Sequence, residues 1–470
     1  MTSHTTAQIA ETDGWDTVFA VHISDVNAAI AGAQSYPTSF QLSDDADGYA
    51  ISGSFDAWKI VPGGSGDLVL LAIPFFNCSI IEPGQKHEHV KGTANVMVRL
   101  NFIDEELDIS LSAKNKLLQT KSKPSEPGEK LASISTVVYE GKQPTFVGGA
   151  ALRGLLEKWL NENLEDFDHV FATVNINRTA SSGDFQWMQP TLVTYAYSDL
   201  GTKNDGALGV LCMTEGRSRT GLAQQLSSVT IPSGERAGFL VSKNRLISKL
   251  LLPHMPKVFP GSKQSDYRLS ETGDSIVMAS QDVTFTVKSS PKDGSSPKAY
   301  SAKILDLQMT VEGAELQLSV TTETEISPGI HAYCQTQSFM GIRLVNKSDG
   351  TQTLGYYDSR PSVKNKWTKQ DPAFKITEEI LTVVAILLAL VAVVVTDGAA
   401  IAAASLVISL AAGLTAATAY TIEQTGKDDG PSIGEMVLNC TAAIKWANSK
   451  TFKLGDAQLS GSLQLGGKLT

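Results

Sequence analysis

The residues that could bind an anion or carry out chemistry are few, and the strongest pattern among them is a run of glycines. Pro62-Gly63-Gly64-Ser65-Gly66 places several backbone N–H groups close together, and successive glycines can form a nest that binds a phosphate or a lipid headgroup. The same run can instead turn the chain between two strands at positive φ. Gly63, Gly64, Ser65 and Gly66 are therefore candidates for a headgroup or anion site, with a simple turn as the favoured alternative.

Motifs of common enzymes are missing from the sequence. It contains no HExxH, GxxxxGK[ST] or GxGxxG pattern, which are signatures of metalloproteases and of nucleotide-binding enzymes. His87-Glu88-His89 offers two imidazoles without a third ligand, so a solvated loop is the favoured interpretation. Glu378-Glu379 and Asp44-Asp45 are adjacent rather than opposed, and adjacency does not make an acid–base couple. The sequence thus predicts no catalytic residue, no metal site and no cofactor, and the protein is expected not to be an enzyme.

Charge and cysteine content exclude further classes. The 470 residues carry 39 Lys+Arg against 49 Asp+Glu, a formal net charge of -10, whereas a general nucleic-acid binder needs a basic face. The four cysteines form no CxxC pair, so free thiols are expected. The N-terminus has neither the basic segment nor the apolar run of a Sec signal peptide. Synthesis in the cytoplasm, followed by release through another route, is therefore expected.

Apolar periodicity predicts three amphipathic helices. Asp16 can cap the first, over Thr17–Ala33; the second covers about Gly149–Leu164; the third covers about Ser242–Leu252 and is stopped by Pro253. Their apolar stripes are either dry core or the lining of a seam that admits acyl chains. The candidate seam residues are Phe19, Ile23, Leu156, Trp159, Leu246, Ile247, Leu250 and Leu251.

The rest of the chain is mostly β, with one exception near the C-terminus. Val96–Phe102 alternates cleanly, and Leu305–Val320 reads as a long hairpin that turns near Gly313. A division into residues 1–240 and 241–470 is expected, because the third helix opens a second β-rich stretch. The fold class is therefore α+β, with antiparallel sheets around the helices.

The exception is an almost uncharged segment, Ile380–Ile422, whose only charged residue is Asp397. Asp397-Gly398 predicts a turn between two apolar arms, about 24 Å and about 31 Å long as helices, against roughly 30 Å for a bilayer core. A helical hairpin within residues 376–424 is expected. It would bury itself against this protein, support assembly with a partner, or insert into a membrane.

Two motifs make the chain resemble a known family. Gly14-Trp15-Asp16 and the segment Ile51–Gly66, which contains Trp58 and Pro62, resemble the OrfX-type accessory family encoded beside botulinum neurotoxins. The resemblance implies a tubular lipid-binding (TULIP) fold, in which a highly curved antiparallel sheet wraps long helices around an apolar seam. It implies a structural role for Gly14, Trp15, Asp16, Trp58 and Pro62, sister proteins of the same gene cluster as partners, and no enzymatic activity.

Three functions remain open from the sequence. The first is a toxin-accessory protein that binds a lipid or another hydrophobic ligand in the seam, where burial of apolar area supplies affinity. The second is a lipid-free structural or chaperone-like partner of sister proteins. The third is a membrane-active protein whose apolar hairpin inserts after a trigger.

Overall fold

The computed structural model describes residues 9–44, 46–84, 86–104, 115–175, 187–200, 205–259, 261–289, 298–346, 348, 352–372, 377–412, 443–447, 449 and 452–470. Within these residues the strands form three sheets, and every strand pair is antiparallel. The predicted β-rich, antiparallel class is therefore confirmed.

The first sheet joins segments from both ends of the chain. Its six described strands run in the order β10 (Pro190–Asp199), β11 (Gly206–Thr214), β1 (Thr17–His22), β12 (Ala237–Val241), β22 (Ser462–Leu469) and β21 (Phe452–Ser460). The predicted boundary at residue 240 falls inside β12, which pairs with β1 on one side and with β22 on the other; the two-domain division stays a prediction.

The second sheet has nine described strands, and Pro62–Ser65 of the glycine run lie on its strand β4 (Lys59–Ser65), with Gly66 directly after it. Its long strands β5 and β6 pair along most of their length, and alternate residues of β5 point into the core. The strands are β2 (Ser39–Asp44), β3 (Tyr49–Phe55), β4 (Lys59–Ser65), β5 (Leu68–Glu82), β6 (Lys86–Asp104), β7 (Asn115–Thr120), β8 (Ala132–Tyr139), β9 (Ala172–Asn175) and β20 (Ile444–Trp446).

The third sheet contains the predicted long hairpin. Met309 pairs with Leu318 across it, and the turn holds Gly313 at φ +55°, so that hairpin is confirmed. The seven described strands are β13 (Tyr267–Leu269), β14 (Ser275–Met278), β15 (Thr284–Ser289), β16 (Lys298–Glu312), β17 (Glu315–Ser327), β18 (Ile330–Asn346) and β19 (Gln352–Gln370).

The first predicted helix is half wrong. Thr17–His22 is a strand, and only Ile23–Ala33 is helical (α1), with His22 rather than Asp16 at its N-terminus. The strand lies in the middle of its sheet, between β11 and β12, and is buried on both faces. Such a strand shows a continuous apolar run, which periodicity cannot distinguish from a buried helix.

The second helix is confirmed and the third is longer than predicted. α2 spans Phe146–Asn163 and is followed by a 3-10 turn, Leu164–Asp166. Pro253 does not end the third helical region. It lies near the start of a new 3-10 turn that follows a π-helical stretch, and at that position the missing N–H of proline needs no hydrogen-bond partner. That region consists of α3 (Lys243–Arg245), a π-helical segment (Leu246–Leu251), the 3-10 turn (Leu252–His254) and α4 (Met255–Val258); a further 3-10 turn covers Gln264–Asp266.

The predicted turn at Asp397-Gly398 is wrong. One helix, α5, runs without interruption over Glu378–Ala412 and passes through both residues; residues 413–424 of the expected hairpin lie outside the described part of the chain. Gly398 is buried, and a Cβ there would lie 3.1 Å from Val258 Cγ1. The glycine therefore permits close packing of α5 on α4, a role that a single glycine inside a helix can have at a cost of about 1 kcal/mol.

Candidate functional site

The eight candidate seam residues all lie in one continuous hydrophobic core. Phe19 contacts Phe239 and Phe452 edge-to-face at ring distances of 5.8 and 5.6 Å, and Trp159 lies 5.4 Å from Phe55. The most exposed of the eight, Trp159, is 7% exposed. The structure thus brings the predicted residues together, as packed core; their role as a lipid seam stays a prediction.

The glycine run lies at the rim of an open cleft of about 750 Å³, and the amides of Gly63 and Gly66 already have partners. Gly63 N–H donates to the Asp199 carboxylate at 3.0 Å, and Gly66 N–H donates to the Tyr197 carbonyl at 3.0 Å. Burial, together with the Asp199 carboxylate, raises the pKa of Tyr197 well above its usual value, so its phenol stays protonated and donates to Asp199 at 2.7 Å. The charged residues lining this cleft are acidic, Glu11 and Asp13. An anion at Gly63–Gly66 remains a prediction, and these contacts weigh against it.

Gly64 is needed for packing, which gives a test of the loop's structural role. A Cβ at Gly64 would lie 2.5 Å from the Leu68 carbonyl oxygen and 2.8 Å from the Tyr197 ring. We expect Gly64→Ala to lower the free energy of unfolding by about 1–3 kcal/mol through overpacking, measured by urea denaturation. Gly154→Ala is the matched control: its Cβ meets nothing within 4 Å on helix α2, so a gain of about 0.5–1 kcal/mol is expected. Equal effects would contradict this account.

The Gly14-Trp15-Asp16 motif ties the N-terminal segment to the chain that follows β11. Gly14 has φ +88°, and a Cβ there would lie 2.6 Å from Leu222. Trp15 is buried and donates its indole N–H to the Ala223 carbonyl at 2.9 Å, while Asp16 accepts hydrogen bonds from Thr214. Each motif residue therefore has a packing or hydrogen-bonding role inside the protein.

Trp58 and Pro62 are the other motif positions; Trp58 lies in the hydrophobic core that holds the seam candidates. Trp58 is fully buried, and its ring lies 4.9 Å from Phe167 and 5.5 Å from Phe55. Pro62 is half-buried on β4, directly before Gly63.

A serine–histidine contact is the arrangement that most resembles a nucleophile and its base, and sequence reasoning missed it. Ser35 Oγ lies 2.6 Å from His169 Nδ1 at a cleft of about 420 Å³. Burial lowers the pKa of His169 to about 4, and so acidic an imidazolium makes a weak general base near neutral pH. The two residues are 134 positions apart, so no local pattern could have indicated the contact.

The His87-Glu88-His89 segment lies on strand β6, so the predicted loop is wrong. Both histidines are exposed, while Glu88 between them is buried and accepts from the Thr145 N–H at 2.9 Å and its hydroxyl at 2.6 Å. A strand places alternate residues on opposite faces, which separates the histidines from the carboxylate. Among the described residues, no group of three metal-ligating side chains is placed to hold an ion.

The largest unexplained feature is one flank of α5. Leu381–Ala403 is 23 residues long, has a mean hydropathy of 2.5 and is 44% buried; within the described chain it is the one helix long and apolar enough to cross a membrane. One side packs on the third sheet through residues that include Leu387, Leu388 and Val391. Leu381 and Val393 are 51% and 49% exposed. The exposed flank of α5 is the row of exposed apolar residues spaced by four: Leu381, Ala385, Ala389 and Val393.

Comparison with known proteins shows which family the chain is similar to. The OrfX-like family model, described as Protein OrfX2/OrfX3/P47, matches residues 12–467. Protein OrfX3 of Paraclostridium bifermentans is 30% identical, and Protein OrfX3 of Clostridium botulinum (strain Kyoto / Type A2) is 29% identical; each match covers 97% of this chain and 98% of the relative. The solved structure of P47 from Clostridium botulinum A2 has the same fold, with a TM-score of 0.62 at 16% identity and 98% of both chains covered. This chain belongs to the OrfX-like family.

Proposed function

We propose that this chain is a non-enzymatic accessory component of a bacterial toxin system and that it binds a lipid or another hydrophobic ligand. Membership of the OrfX-like family supports the accessory role, since the family resemblance implies a location in toxin gene clusters. Sister proteins of such a cluster are its proposed partners. Synthesis in the cytoplasm and release by a route other than Sec belong to the same proposal.

The observation that carries ligand binding is the exposed flank of α5. Leu381 and Val393 keep about half of their surface in water, in a helix segment without Lys, Arg or Glu from Ile380 to Ala412. Burying such apolar area is favourable by roughly 25 cal/mol per Å². An exposed apolar row of this length marks a site where a lipid or an apolar protein surface can bind.

The exposed flank of α5 is a better location for the ligand than the interior seam. The eight seam candidates already contact one another or other core residues, and packed interiors leave few voids larger than a water molecule. The two clefts described above are lined by other residues. A ligand at the surface requires no opening of the core.

A double substitution on α5 tests this function. We expect Leu381→Gln with Val393→Gln to weaken binding to phosphatidylcholine vesicles roughly 30-fold, because two half-exposed side chains contribute about 2 kcal/mol when buried in lipid. Vesicle flotation measures the bound fraction. Since both positions are half-exposed, the melting temperature should change little.

The matched control removes a similar exposed side chain elsewhere. Val138 on β8 is 57% exposed, and Val138→Gln should leave flotation unchanged. Flotation of the double variant at the wild-type level would show that α5 is not the contact. Native mass spectrometry with lipid extraction then addresses the interior seam, where lipid would be lost only on denaturation.

A lipid-free assembly partner is the second candidate function, and the free edge of β19 favours it. Among the described strands β19 pairs only with β18, and a strand at the edge of a sheet is a template to which a partner strand can add. Co-elution of the purified chain with a neighbouring gene product, in the absence of lipid, would support this function. Membrane insertion is the third candidate, and it requires α5 to leave the sheet.

A further inference from the structure

Two lysines of the edge strand lie on the same side of the third sheet as α5. In the pairing of β18 with β19, Lys366 lies opposite Cys334 and Lys364 lies opposite Thr336. Directly opposite residues of an antiparallel pair project from the same face. Cys334 Sγ lies 3.9 Å from the Leu388 carbonyl oxygen of α5, so this is the face on which α5 packs.

The charges on this face differ from those of the whole chain. Lys364 and Lys366 are exposed, in a chain whose net charge is -10. The acidic Glu323 lies on the opposite face, where it accepts from the Tyr333 hydroxyl at 2.7 Å and lies 3.3 Å from His331. A local basic border therefore lies beside the apolar helix; Asp397 is the acidic residue between Ile380 and Ala412, and Glu378 and Glu379 stand at the start of α5.

We propose that the exposed flank of α5, together with Lys364 and Lys366, forms one surface that docks onto the negatively charged interface of a phospholipid bilayer. This rests on the proposed function, in which that flank contacts lipid. An apolar helix row beside lysines is the composition that places a helix in the plane of a bilayer, with ammonium groups at the level of the phosphates. Anionic lipids attract each such lysine by about 1 kcal/mol.

The geometry favours docking along the surface rather than crossing it. Asp397 is exposed one turn beyond Val393 and ends the uncharged row. From Leu381 to Thr396 the helix is about 24 Å long, shorter than the roughly 30 Å of a bilayer core. The other side of α5 remains packed on the sheet through Leu387 and Leu388, which are 0% and 3% exposed.

Charge-neutral variants of the full-length chain test the proposal. Flotation is measured with vesicles of phosphatidylcholine alone and of phosphatidylcholine with 30 mol% phosphatidylserine. We expect the wild-type chain to bind the anionic vesicles more strongly than the neutral ones. The double substitution Lys364→Gln with Lys366→Gln should lower the affinity for the anionic vesicles roughly 30-fold. Added salt should remove the same preference by screening. Lys59→Gln with Lys468→Gln, both exposed on other strands, makes the same change in net charge and should have little effect.

Each outcome decides the proposal. Equal binding of the wild type to both vesicles, or equal losses in the two double variants, would overturn it. If the wild type still binds neutral vesicles and the Leu381/Val393 double variant still weakens that binding roughly 30-fold, the proposed function stands and only the anionic docking fails. Absence of binding to either vesicle would contradict both.

Discussion

Replacing Asp16 by asparagine should lower the free energy of unfolding by about 3–5 kcal/mol, the cost of removing one partner of a buried ion pair. The Asp16 carboxylate is fully buried, and it accepts hydrogen bonds from the Thr214 N–H and hydroxyl at 2.8 Å each. It pairs with Arg217, and its Oδ1 lies 3.8 Å from Arg245 Nε. Asparagine keeps the shape of the side chain but removes the negative charge.

The size of the loss follows from the partners that remain. The Arg245 side chain is 5% exposed, and its guanidinium cannot lose its proton. It keeps contacts with Glu215 and with the Trp187 ring, whose centre is 5.5 Å away. Without Asp16 the local positive charge is incompletely compensated in a low-dielectric surrounding, and that condition is strongly unfavourable.

Urea denaturation measures the change, and a surface pair supplies the control. Asp25 pairs with Arg236 at 2.6 Å, but both side chains are more than a third exposed. Asp25→Asn should therefore cost at most about 1 kcal/mol. Equal losses of stability in the two variants would show that burial does not make the Asp16 ion pairs more important for stability than the exposed Asp25 pair.

Leu387→Asp should lower the free energy of unfolding by more than about 4 kcal/mol, because it places a carboxylate in a packed core. Leu387 is completely buried where α5 packs on the third sheet. The expected readout is loss of the cooperative thermal transition. Leu250→Asp, on the π-helical segment, should destabilise the protein in the same way, because Leu250 is also fully buried. A loss of bound lipid in that variant would therefore not distinguish a seam contact from unfolding.

Leu381→Asp is the control on the same helix. Leu381 is 51% exposed, so a change within about 0.5 kcal/mol is expected. A stable, folded Leu387→Asp variant would show that α5 does not need its contacts with the sheet. Membrane insertion of α5 would then become the favoured function, because leaving the sheet would cost little.

Several strands with one buried and one exposed face were predictable because apolar residues mark the buried face; His87–His89 on β6 was missed because its buried residue is the polar Glu88. In the hairpin of β16 and β17, apolar residues such as Leu307, Met309, Leu316 and Leu318 alternate with polar ones, and the structure places the apolar set in the core. α2 was predictable for the same reason at a period of 3.6, with Leu156 and Trp159 on its buried side. The failure at Thr17–His22 arose because a strand buried on both faces has no alternation to detect.

Contacts between distant segments could not be predicted in this way. The sequence indicated a use for Gly398 as a turn, whereas packing on Val258 explains it. It made Gly63 a candidate for an anion nest, with a turn as the favoured alternative, and it could not show that the N–H of Gly63 donates to Asp199, 136 residues away. In both cases the sequence marked the glycine as a position with an unusual backbone role. The residue that it contacts lies far away in the chain.

The order of residues alone establishes the β-rich class, the position of α2, the uncharged segment at 380–422 and the family, because these depend on local periodicity, composition and motif identity. Long-range packing establishes which side of α5 is free, which face of β19 carries Lys364 and Lys366, and why Asp16 is buried among arginines. An apolar residue has the same chemistry in a core, at a partner surface or in a bilayer. Only its neighbours in space determine which of these environments it occupies.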